Sequence, residues 1–388
     1  MRASRGYKTA TEGKAKLIIP SEEKISKRLP VFYNPVMRLN RDISILVLNS
    51  SDNKGMQIAL PLAGTGVRGI RLRKEVAEGK IRSISMNDQS DEAVRVIRKN
   101  LKLNRLSTSE IKVSQADASL FLLSSKGFDY IDIDPFGSPG PFLDAAMKRL
   151  SRRSILAVTA TDTSALAGTC PNAGMRKYWA RPMRNELMHE IGLRILIRKC
   201  QLIASQYERG LFPVFSYSKD HYLRVFFRCE KGKSKSDSAI KNHGLVLYCQ
   251  KCGMRKTVID MWSTGCGCGA QFDFAGPMYL GPLWDPALVR RMVNINKAAD
   301  AGKLLDLIKS EMDVGSALFY DIHELCKKHK VRDIPRTEAV LRSIRALKYK
   351  AAVTHFSPLG IRSNIGFDEM VQIIKECGKK KKKRLKKD

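Results

Sequence analysis

The sequence predicts an α/β fold, in which helices cover a mostly parallel sheet, followed by a second domain of α+β type. Short apolar runs alternate with amphipathic stretches from about residue 50 to residue 229, as is typical of βαβ units. The 388 residues exceed the length at which a single hydrophobic core keeps growing. A polar segment at 231–244, with a cysteine cluster beyond it, indicates where the second domain begins.

Five segments of the first part are expected to be strands and three to be helices between them. The strands are predicted at residues 56–62, 81–87, 111–115, 128–133 and 154–161, and the helices at 71–77, 91–104 and 142–150. A helix at 184–204 follows, with Glu186, Glu190 and Arg194 at intervals of four. Two apolar runs at 214–217 and 222–229 then predict an antiparallel hairpin that closes the sheet.

The net charge of the chain is +32, from 70 lysines and arginines against 38 acidic residues. Eight of the nine residues at 379–387 are cations, but the excess extends over the rest of the chain as well. Such a charge favours a polyanionic partner, because each neutralised phosphate releases counterions. The basic tail at 379–388 can equally be a solvated charge run. The sequence therefore predicts nucleic acid as the partner.

The predicted strand ends carry the residues of a cofactor site. The first strand leads into Gly64-Thr65-Gly66, the second ends at Asp88, and Asp117-Ala118 follow the third. Glycines allow close backbone approach to a ligand, and the two carboxylates suit the ribose hydroxyls and the adenine amine of a nucleoside. A cofactor without phosphates, S-adenosylmethionine, fits these acids best. Each aspartate taken alone can instead be a helix N-cap.

The fourth strand runs directly into Asp134-Pro135-Phe136-Gly137. An exocyclic base amine is a poor nucleophile, and two acceptors, the carboxylate of Asp134 and the backbone carbonyl of Pro135, can bind its two N–H groups. This geometry directs the nitrogen lone pair at the methyl donor. Phe136 offers a face for base stacking. The pattern predicts a class I methyltransferase acting on an amino group; the alternative is a plain strand-to-helix turn.

The chain resembles the tRNA (guanine(26)-N(2))-dimethyltransferase family, in particular its archaeal members. The strings that carry the resemblance occur in order along nearly the whole chain and lie at 32–42, 65–71, 87–88, 117–118, 134–139, 159–162, 176–178, 219–222 and 354–361. Most specific are Asp134-Pro135-Phe136-Gly137-Ser138-Pro139 and the His-Phe-Ser-Pro string at 355–358.

This resemblance implies the roles of individual residues. Contacts to S-adenosylmethionine are implied for Arg41, Arg68, Asp88, Asp117 and Ala118. Asp134 is implied as the catalytic carboxylate, with Phe32 and Phe136 on either side of a flipped guanine. The implied activity is methylation, and then dimethylation, of guanosine N2 in tRNA, at position 26. One difference is that Leu60 stands where the family often has an acidic residue.

Four cysteines in two close pairs predict a zinc knuckle at 245–275. Cys249 and Cys252 form one pair, and Cys266 and Cys268 form the other. Four thiolates suit tetrahedral Zn²⁺ in a closed, structural site, although unliganded thiols remain the alternative. Trp179, Trp262 and Trp284 are interpreted as ordinary hydrophobic anchors.

The interpretation divides the chain into four parts. Residues 1–230 form a Rossmann-like methyltransferase domain with an N-terminal extension, and 231–244 form a linker. Residues 245–378 form an RNA-binding domain with the zinc knuckle and a winged-helix-like region. Residues 379–388 form the basic tail. We expect a cytoplasmic enzyme that binds tRNA, with no membrane span and no obligate protein partner. Alternatives are N2 methylation at another RNA position, N6-adenine methylation of DNA, or a catalytically silent RNA-binding protein.

Overall fold

The structure, a computed structural model, describes residues 6–21, 31–107, 109–259 and 264–384. Of the predicted basic tail, residues 385–388 lie outside this description, and so does Trp262. None of the helices in these ranges is both long and apolar enough to span a bilayer.

A small hairpin opens the described chain and packs beside the first helices. It consists of β1 (Tyr7–Glu12) and β2 (Ala15–Pro20), and a 3₁₀ turn at Pro35–Met37 leads into α1 (Arg38–Ser50). Asn100 holds the hairpin in place, because its Oδ1 accepts from the Ile18 amide at 2.6 Å while its amide donates to the Thr65 carbonyl at 2.9 Å. Asn100 therefore links this hairpin to the glycine loop at residues 64–66.

The central sheet has seven strands in the order β5-β4-β3-β6-β7-β9-β8. These strands are β3 (Met56–Leu60), β4 (Ile81–Asp88), β5 (Ile111–Gln115), β6 (Phe128–Ile133), β7 (Leu150–Ala160), β8 (Arg209–Lys219) and β9 (Tyr222–Lys231). The helices between them are α2 (Val67–Glu75), α3 (Asp91–Leu103), α4 (Ala118–Leu123), α5 (Gly140–Arg149), α6 (Thr163–Leu166), α7 (Pro171–Tyr178) and α8 (Met188–Ser205). The order reverses between β3 and β6, so ligands are expected at the carboxyl ends of these two strands.

The predicted methyltransferase sheet with its terminal hairpin is confirmed, since β9 runs antiparallel to both β7 and β8. Several bounds differ from the prediction. The helix after β3 begins at Val67 rather than at 71, because Gly66, with φ of 77°, turns the chain into it. Strand β7 begins at Leu150 rather than at 154, because its first residues include the exposed Arg152 and Arg153, which hide the strand pattern.

The segment at 231–244, predicted as a linker, contains a helix instead of an extended connection. This helix, α9 (Lys233–Ile240), packs against α8 and β8 through the buried residues Ser236 and Ala239. Two small residues make too narrow an apolar stripe to stand out in a polar sequence. The hydrophobic core also continues past this segment, because Val246, Tyr248 and Met278 belong to the same cluster as the central sheet.

The rest of the chain is α+β, as predicted. Its elements are β10 (His243–Tyr248), β11 (Arg255–Val258), β12 (Asp273–Tyr279), α10 (Pro286–Ile295), α11 (Ala299–Met312), β13 (Tyr320–Asp321), α12 (Ile322–Lys328), α13 (Thr337–Ala346), β14 (Ala351–Val353), β15 (Gly360–Ser363) and α14 (Phe367–Arg384). Two helices followed by an antiparallel hairpin, α12-α13-β14-β15, is the order that the winged-helix interpretation requires.

A cluster of buried charges joins α8 to this second region. Arg362 of β15 lies 2.7 Å from Glu190 of α8 and 2.9 Å from Glu311 of α11. Arg194 and His355 complete the cluster at 2.8 Å and 2.7 Å from the two glutamates. Burial opposes ionisation of Glu190, but Arg362 and Arg194 hold its pKa down at about 2. The cluster fixes the position of β15 on α8.

Candidate active site

A cavity of about 600 Å³ opens at the carboxyl ends of the sheet strands, at the reversal of strand order. Side chains from the N-terminal segment, the glycine loop, the β6–α5 loop and the β8–β9 turn line it together. They are Phe32, Tyr33, Asn34, Val36, Met37, Arg41, Leu60, Leu62, Ala63, Gly64, Thr65, Val67, Arg68, Asp88, Gln89, Asp132, Asp134, Pro135, Phe136, Phe142, Thr161, Asp220, His221 and Tyr222. Most of the predicted site residues thus meet in one cavity.

Asp88 organises the glycine loop at one side of this cavity. Its two carboxylate oxygens accept from the Gly64 amide at 2.8 Å and from the Ser90 amide at 3.0 Å. Gly64 has φ of 55°, and a Cβ there would lie 2.9 Å from the carbonyl oxygen of Phe32. Only glycine fits so close to the backbone of the N-terminal segment. The loop and that segment therefore form one wall.

Asp117 and Ala118 lie outside the residues that line the cavity. The exposed Asp117 caps α4, and its Oδ1 accepts from the amides of Ser119 and Leu120 at 2.8 and 3.1 Å. Ala118, the first residue of that helix, is 4% exposed. The structure thus shows the N-cap alternative for Asp117, and a contact of either residue with a cofactor stays a prediction.

The β6–α5 loop presents Asp134 to the cavity. Gly137 adopts φ of 82°, and its amide donates to the Thr161 hydroxyl at 2.6 Å while its carbonyl accepts from the Thr161 amide at 3.0 Å. These two hydrogen bonds tie the loop to the end of β7. Pro135 is buried, whereas Phe136 is 46% exposed at the mouth of the cavity.

Two arginines and two aspartates form a buried, charge-balanced quartet beneath the cavity. Arg224 of β9 binds the Asp132 carboxylate with both terminal nitrogens at 2.7 and 2.8 Å. Arg68 lies 3.3 Å from Asp132 and donates to Oδ2 of Asp134. Burial would raise the pKa of Asp132, but Arg224 and Arg68 lower it below its ordinary value. The quartet therefore fixes Arg68 against one oxygen of Asp134.

The second oxygen of Asp134 is open to the cavity. Within the described residues, Oδ1 accepts no hydrogen bond, and the side chain is 20% exposed toward the cavity. A carboxylate with one oxygen anchored by a guanidinium and the other open can accept from an amine in a fixed direction. This arrangement suits the predicted catalytic role.

Phe32 and Phe136, the two rings of the predicted guanine sandwich, lie in direct contact with each other. Their ring centroids are 4.2 Å apart at an interplanar angle of 79°. A base cannot enter between two rings in edge-to-face contact, so one ring must turn when substrate binds. The sandwich is therefore a prediction for the bound state.

Arg41 is engaged by Glu12 of the N-terminal hairpin. Its Nε and Nη2 lie 2.6 and 2.5 Å from the Glu12 carboxylate, and Nη2 also donates to the Asn34 carbonyl at 3.0 Å. Burial would raise the pKa of Glu12, but Arg41 and Arg71 keep it low. Arg41 borders the cavity, and its binding of cofactor remains a prediction.

Sequence reasoning did not single out Asp132, Arg224 or Glu12. Asp132 and Arg224 are 2% and 0% exposed, and a charge in a buried strand needs a partner. Asp132, which stands between Ile131 and Ile133 in the fourth strand, was thus an available signal. Its partner, 92 residues further on, could not be identified from spacing.

The four predicted zinc ligands come together. The Sγ atoms of Cys249, Cys252, Cys266 and Cys268 all lie within 4.8 Å of one another. Cys249 and Cys268 are 3.5 Å apart, and Cys252 and Cys266 are 3.6 Å apart. Four thiolates at about 2.3 Å from Zn²⁺ would be about 3.8 Å from each other, so the cluster fits that ion.

The knuckle rests on α12. Lys328 Nζ donates to the Gln250 carbonyl at 2.6 Å, and His329 Nε2 lies 2.9 Å from the Cys252 carbonyl oxygen. These two contacts, to the carbonyls of Gln250 and Cys252, fix the knuckle against the winged-helix-like region. This closed, packed position suits a structural metal ion.

The cavity fits S-adenosylmethionine in its chemistry. A glycine loop, the Asp88 carboxylate at the end of β4, and apolar residues such as Leu60 and Leu62 surround a space of suitable size. Leu60, which replaces the expected acid, is 2% exposed and lines this space. It contributes an apolar wall where a carboxylate was expected.

Comparison with known proteins agrees with this site. Residues 13–375 match the family described as N2,N2-dimethylguanosine tRNA methyltransferase. A relative from Aquifex aeolicus, named tRNA (guanine(26)-N(2)/guanine(27)-N(2))-dimethyltransferase, is 36% identical over 94% of this chain and 95% of its own. A tRNA (guanine(26)-N(2))-dimethyltransferase from Methanobrevibacter smithii is 38% identical over 95% of this chain and 97% of its own.

A solved structure is similar throughout. Trm1 from Pyrococcus horikoshii, in complex with S-adenosyl-L-methionine, superposes with a TM-score of 0.84 at 35% identity, covering 94% of this chain and 99% of that one. At this coverage the likeness extends over both the sheet and the C-terminal region. The chain belongs to the N2,N2-dimethylguanosine tRNA methyltransferase family.

Proposed function

We propose that the protein transfers methyl groups from S-adenosylmethionine to the N2 amine of a guanosine in tRNA, first one and then a second, at position 26. The observation that carries this proposal is the open Oδ1 of Asp134, in a cavity that Pro135 and Phe136 also line. The family and the +32 charge support tRNA as the substrate.

The residues of the chain would act by orientation. S-adenosylmethionine, when bound, supplies an electrophilic methyl group. Asp134 Oδ1 and the Pro135 carbonyl would each accept one N–H of the amine, which directs the nitrogen lone pair at the donor. The nitrogen would accept the methyl group and give up a proton to Asp134 or to water. For the second transfer, the first methyl must turn away from Asp134.

Phe136 and Phe32 would hold the flipped base in a stack. Because the two rings contact each other edge to face, base entry would require one ring to rotate. The stack of Phe32, the base and Phe136 would therefore form only when the substrate binds. We place Asp88 and Arg41 on the cofactor side, where both line the cavity.

The C-terminal region would hold the body of the tRNA. The outer face of α13 and the residues after it expose Arg342, Lys348 and Lys350, which supply charge for phosphate contacts. Since its substrate would be tRNA, we expect the protein to act in the cytoplasm.

Nucleoside mass spectrometry of unmodified tRNA transcripts, incubated with protein and S-adenosylmethionine, tests the proposal. Dimethylguanosine should form, and should vanish when guanosine 26 is replaced by adenosine. Product that persists in that transcript would point to a neighbouring guanosine; the Aquifex relative is named for both 26 and 27. If no methylguanosine forms from any transcript, the proposed function is wrong.

A further inference from the structure

Trp179 stands at the end of α7 in a position that does not suit a hydrophobic anchor. It is 47% exposed, whereas Trp284 is 9% exposed. It caps α7 with φ of 57°, and its amide donates to the Met175 carbonyl at 3.1 Å. Helix ends of this kind favour glycine or asparagine, because a bulky side chain is strained there. Exposure and strain both oppose tryptophan, so its presence points to a function outside folding.

The end of α7 is attached to the wall of the cavity. Tyr178 donates a hydrogen bond to Asp162, and Lys177 Nζ lies 3.3 Å from the same carboxylate. Asp162 follows Thr161, which lines the cavity and bonds to Gly137 of the β6–α5 loop. Trp179, the residue after Tyr178, therefore belongs to an element that is tied to the wall of this cavity.

Two cations from α8 lie against Trp179, one at its backbone carbonyl and one at its ring, and neither pairs with a carboxylate of the described residues. Arg198 donates to the Trp179 carbonyl at 3.2 Å, and its buried Nε has no hydrogen-bond partner in the described ranges. Lys199 Nζ lies 2.8 Å from the centroid of the ring. Burial lowers the pKa of Lys199 to about 8, and no acidic side chain of the described residues pairs with it. Unbalanced cations beside an exposed ring suit a nucleic-acid strand.

We propose that Trp179 stacks on an unpaired base that flanks the target guanosine of tRNA, and that Arg198 neutralises the adjoining phosphate. Extruding a guanosine into the cavity deprives a neighbouring base of its stacking partner, and an aromatic ring can replace that partner. Lys199 covers one face of the indole, which leaves the other face for the base. Met175, 51% exposed one turn earlier, extends the apolar surface. This inference rests on the tRNA methylation proposed above.

Two substitutions separate stacking from folding. Trp179→Asn places a residue that tolerates positive φ at the helix end but removes the ring from Lys199, so the two effects oppose each other and the melting temperature should change by no more than a few degrees. Binding of unmodified tRNA transcript to the full-length protein should nevertheless weaken by about 5- to 150-fold, which is the range that one base stack contributes. Trp179→Phe keeps a ring and should bind within a few-fold of wild type. Affinity for S-adenosylmethionine should stay unchanged in both variants.

Ile295→Asn is the matched control, because Ile295 is a similarly exposed apolar residue, 41% exposed, at the end of α10. It should bind tRNA as wild type does. Tryptophan emission should also fall on tRNA binding in the wild-type chain and fall less in Trp179→Phe. Wild-type affinity in Trp179→Asn, or equal losses in Trp179→Asn and Trp179→Phe, would overturn the stacking role. If wild type itself neither binds nor methylates tRNA, the proposed function fails instead.

Discussion

Replacing Asp132 by asparagine removes one of the two carboxylates that balance Arg68 and Arg224. Asp132 is 2% exposed and Arg224 is fully buried, so both guanidiniums would then share the single negative charge of Asp134. Breaking a buried pair in this way costs about 3–5 kcal/mol, since the remaining charge stays desolvated. The Tyr130 hydroxyl, 2.6 Å from Asp132, can still bond to an amide oxygen and does not offset that charge.

This loss of stability corresponds to a shift in the melting temperature. An unfolding entropy of about 2.1 cal/mol/K per residue gives roughly 0.8 kcal/mol/K for the whole chain unfolding as one unit. Asp132→Asn should therefore melt about 4–6 °C below wild type, as measured by differential scanning calorimetry. Asp144→Asn is the matched control, because Asp144 pairs with Lys148 at 2.8 Å on the surface, with half of its side chain exposed. That variant should shift by about 1 °C or less.

A second variant separates the charge effect from a packing effect. Arg224→Met combined with Asp132→Asn removes one charge of each sign, so the double variant should be more stable than the sum of the two single losses predicts, by about 1–3 kcal/mol. An Asp132→Asn protein that melts within 1 °C of wild type, or strictly additive losses, would refute the quartet as a coupled unit.

Two further predictions concern the zinc cluster and the buried charges on α8. Elemental analysis of protein purified with zinc should find one zinc per chain in wild type and none in Cys252→Ser. The variant should bind tRNA more weakly than wild type and S-adenosylmethionine with unchanged affinity. Wild-type protein without zinc would contradict the site. Glu190 has a folded-state pKa of about 2, below its unfolded value of about 4.3, so its stabilisation is present above pH 4.3 and is lost as the pH falls toward 2. The melting temperature of wild type should thus fall more steeply between pH 5 and 3 than that of Glu190→Gln. If the melting temperatures of the two proteins fall in parallel over this pH range, Glu190 does not stabilise the fold in this way.

The fold and much of the site follow from local sequence patterns. Strands β5 and β6 have the predicted bounds, because apolar runs bounded by polar turns are a local signal. The glycine loop, Asp88 and the Asp134 loop meet because parallel strands end at one edge of a sheet. The four cysteines could be paired from spacing alone, since thiolate chemistry restricts their use.

What the sequence could not supply depends on contacts between distant residues. The bonds of Arg224 to Asp132 span 92 residues, and those of Glu12 to Arg71 span 59. Helix α9 was missed because packing on α8, rather than an apolar stripe, stabilises it. The exposure of Trp179 likewise depends on where α7 ends relative to α8, and neither composition nor periodicity carries that information.

The most direct test of the account compares methyl transfer by wild type and by Asp134→Ala on the same unmodified tRNA, with nucleoside mass spectrometry as the readout. Wild type should produce methylguanosine and then dimethylguanosine. The variant should lose transfer by at least about a hundred-fold, while its tRNA and S-adenosylmethionine affinities stay within a few-fold of wild type. Unchanged turnover in Asp134→Ala would contradict the assignment of Asp134 as the carboxylate that receives the amine.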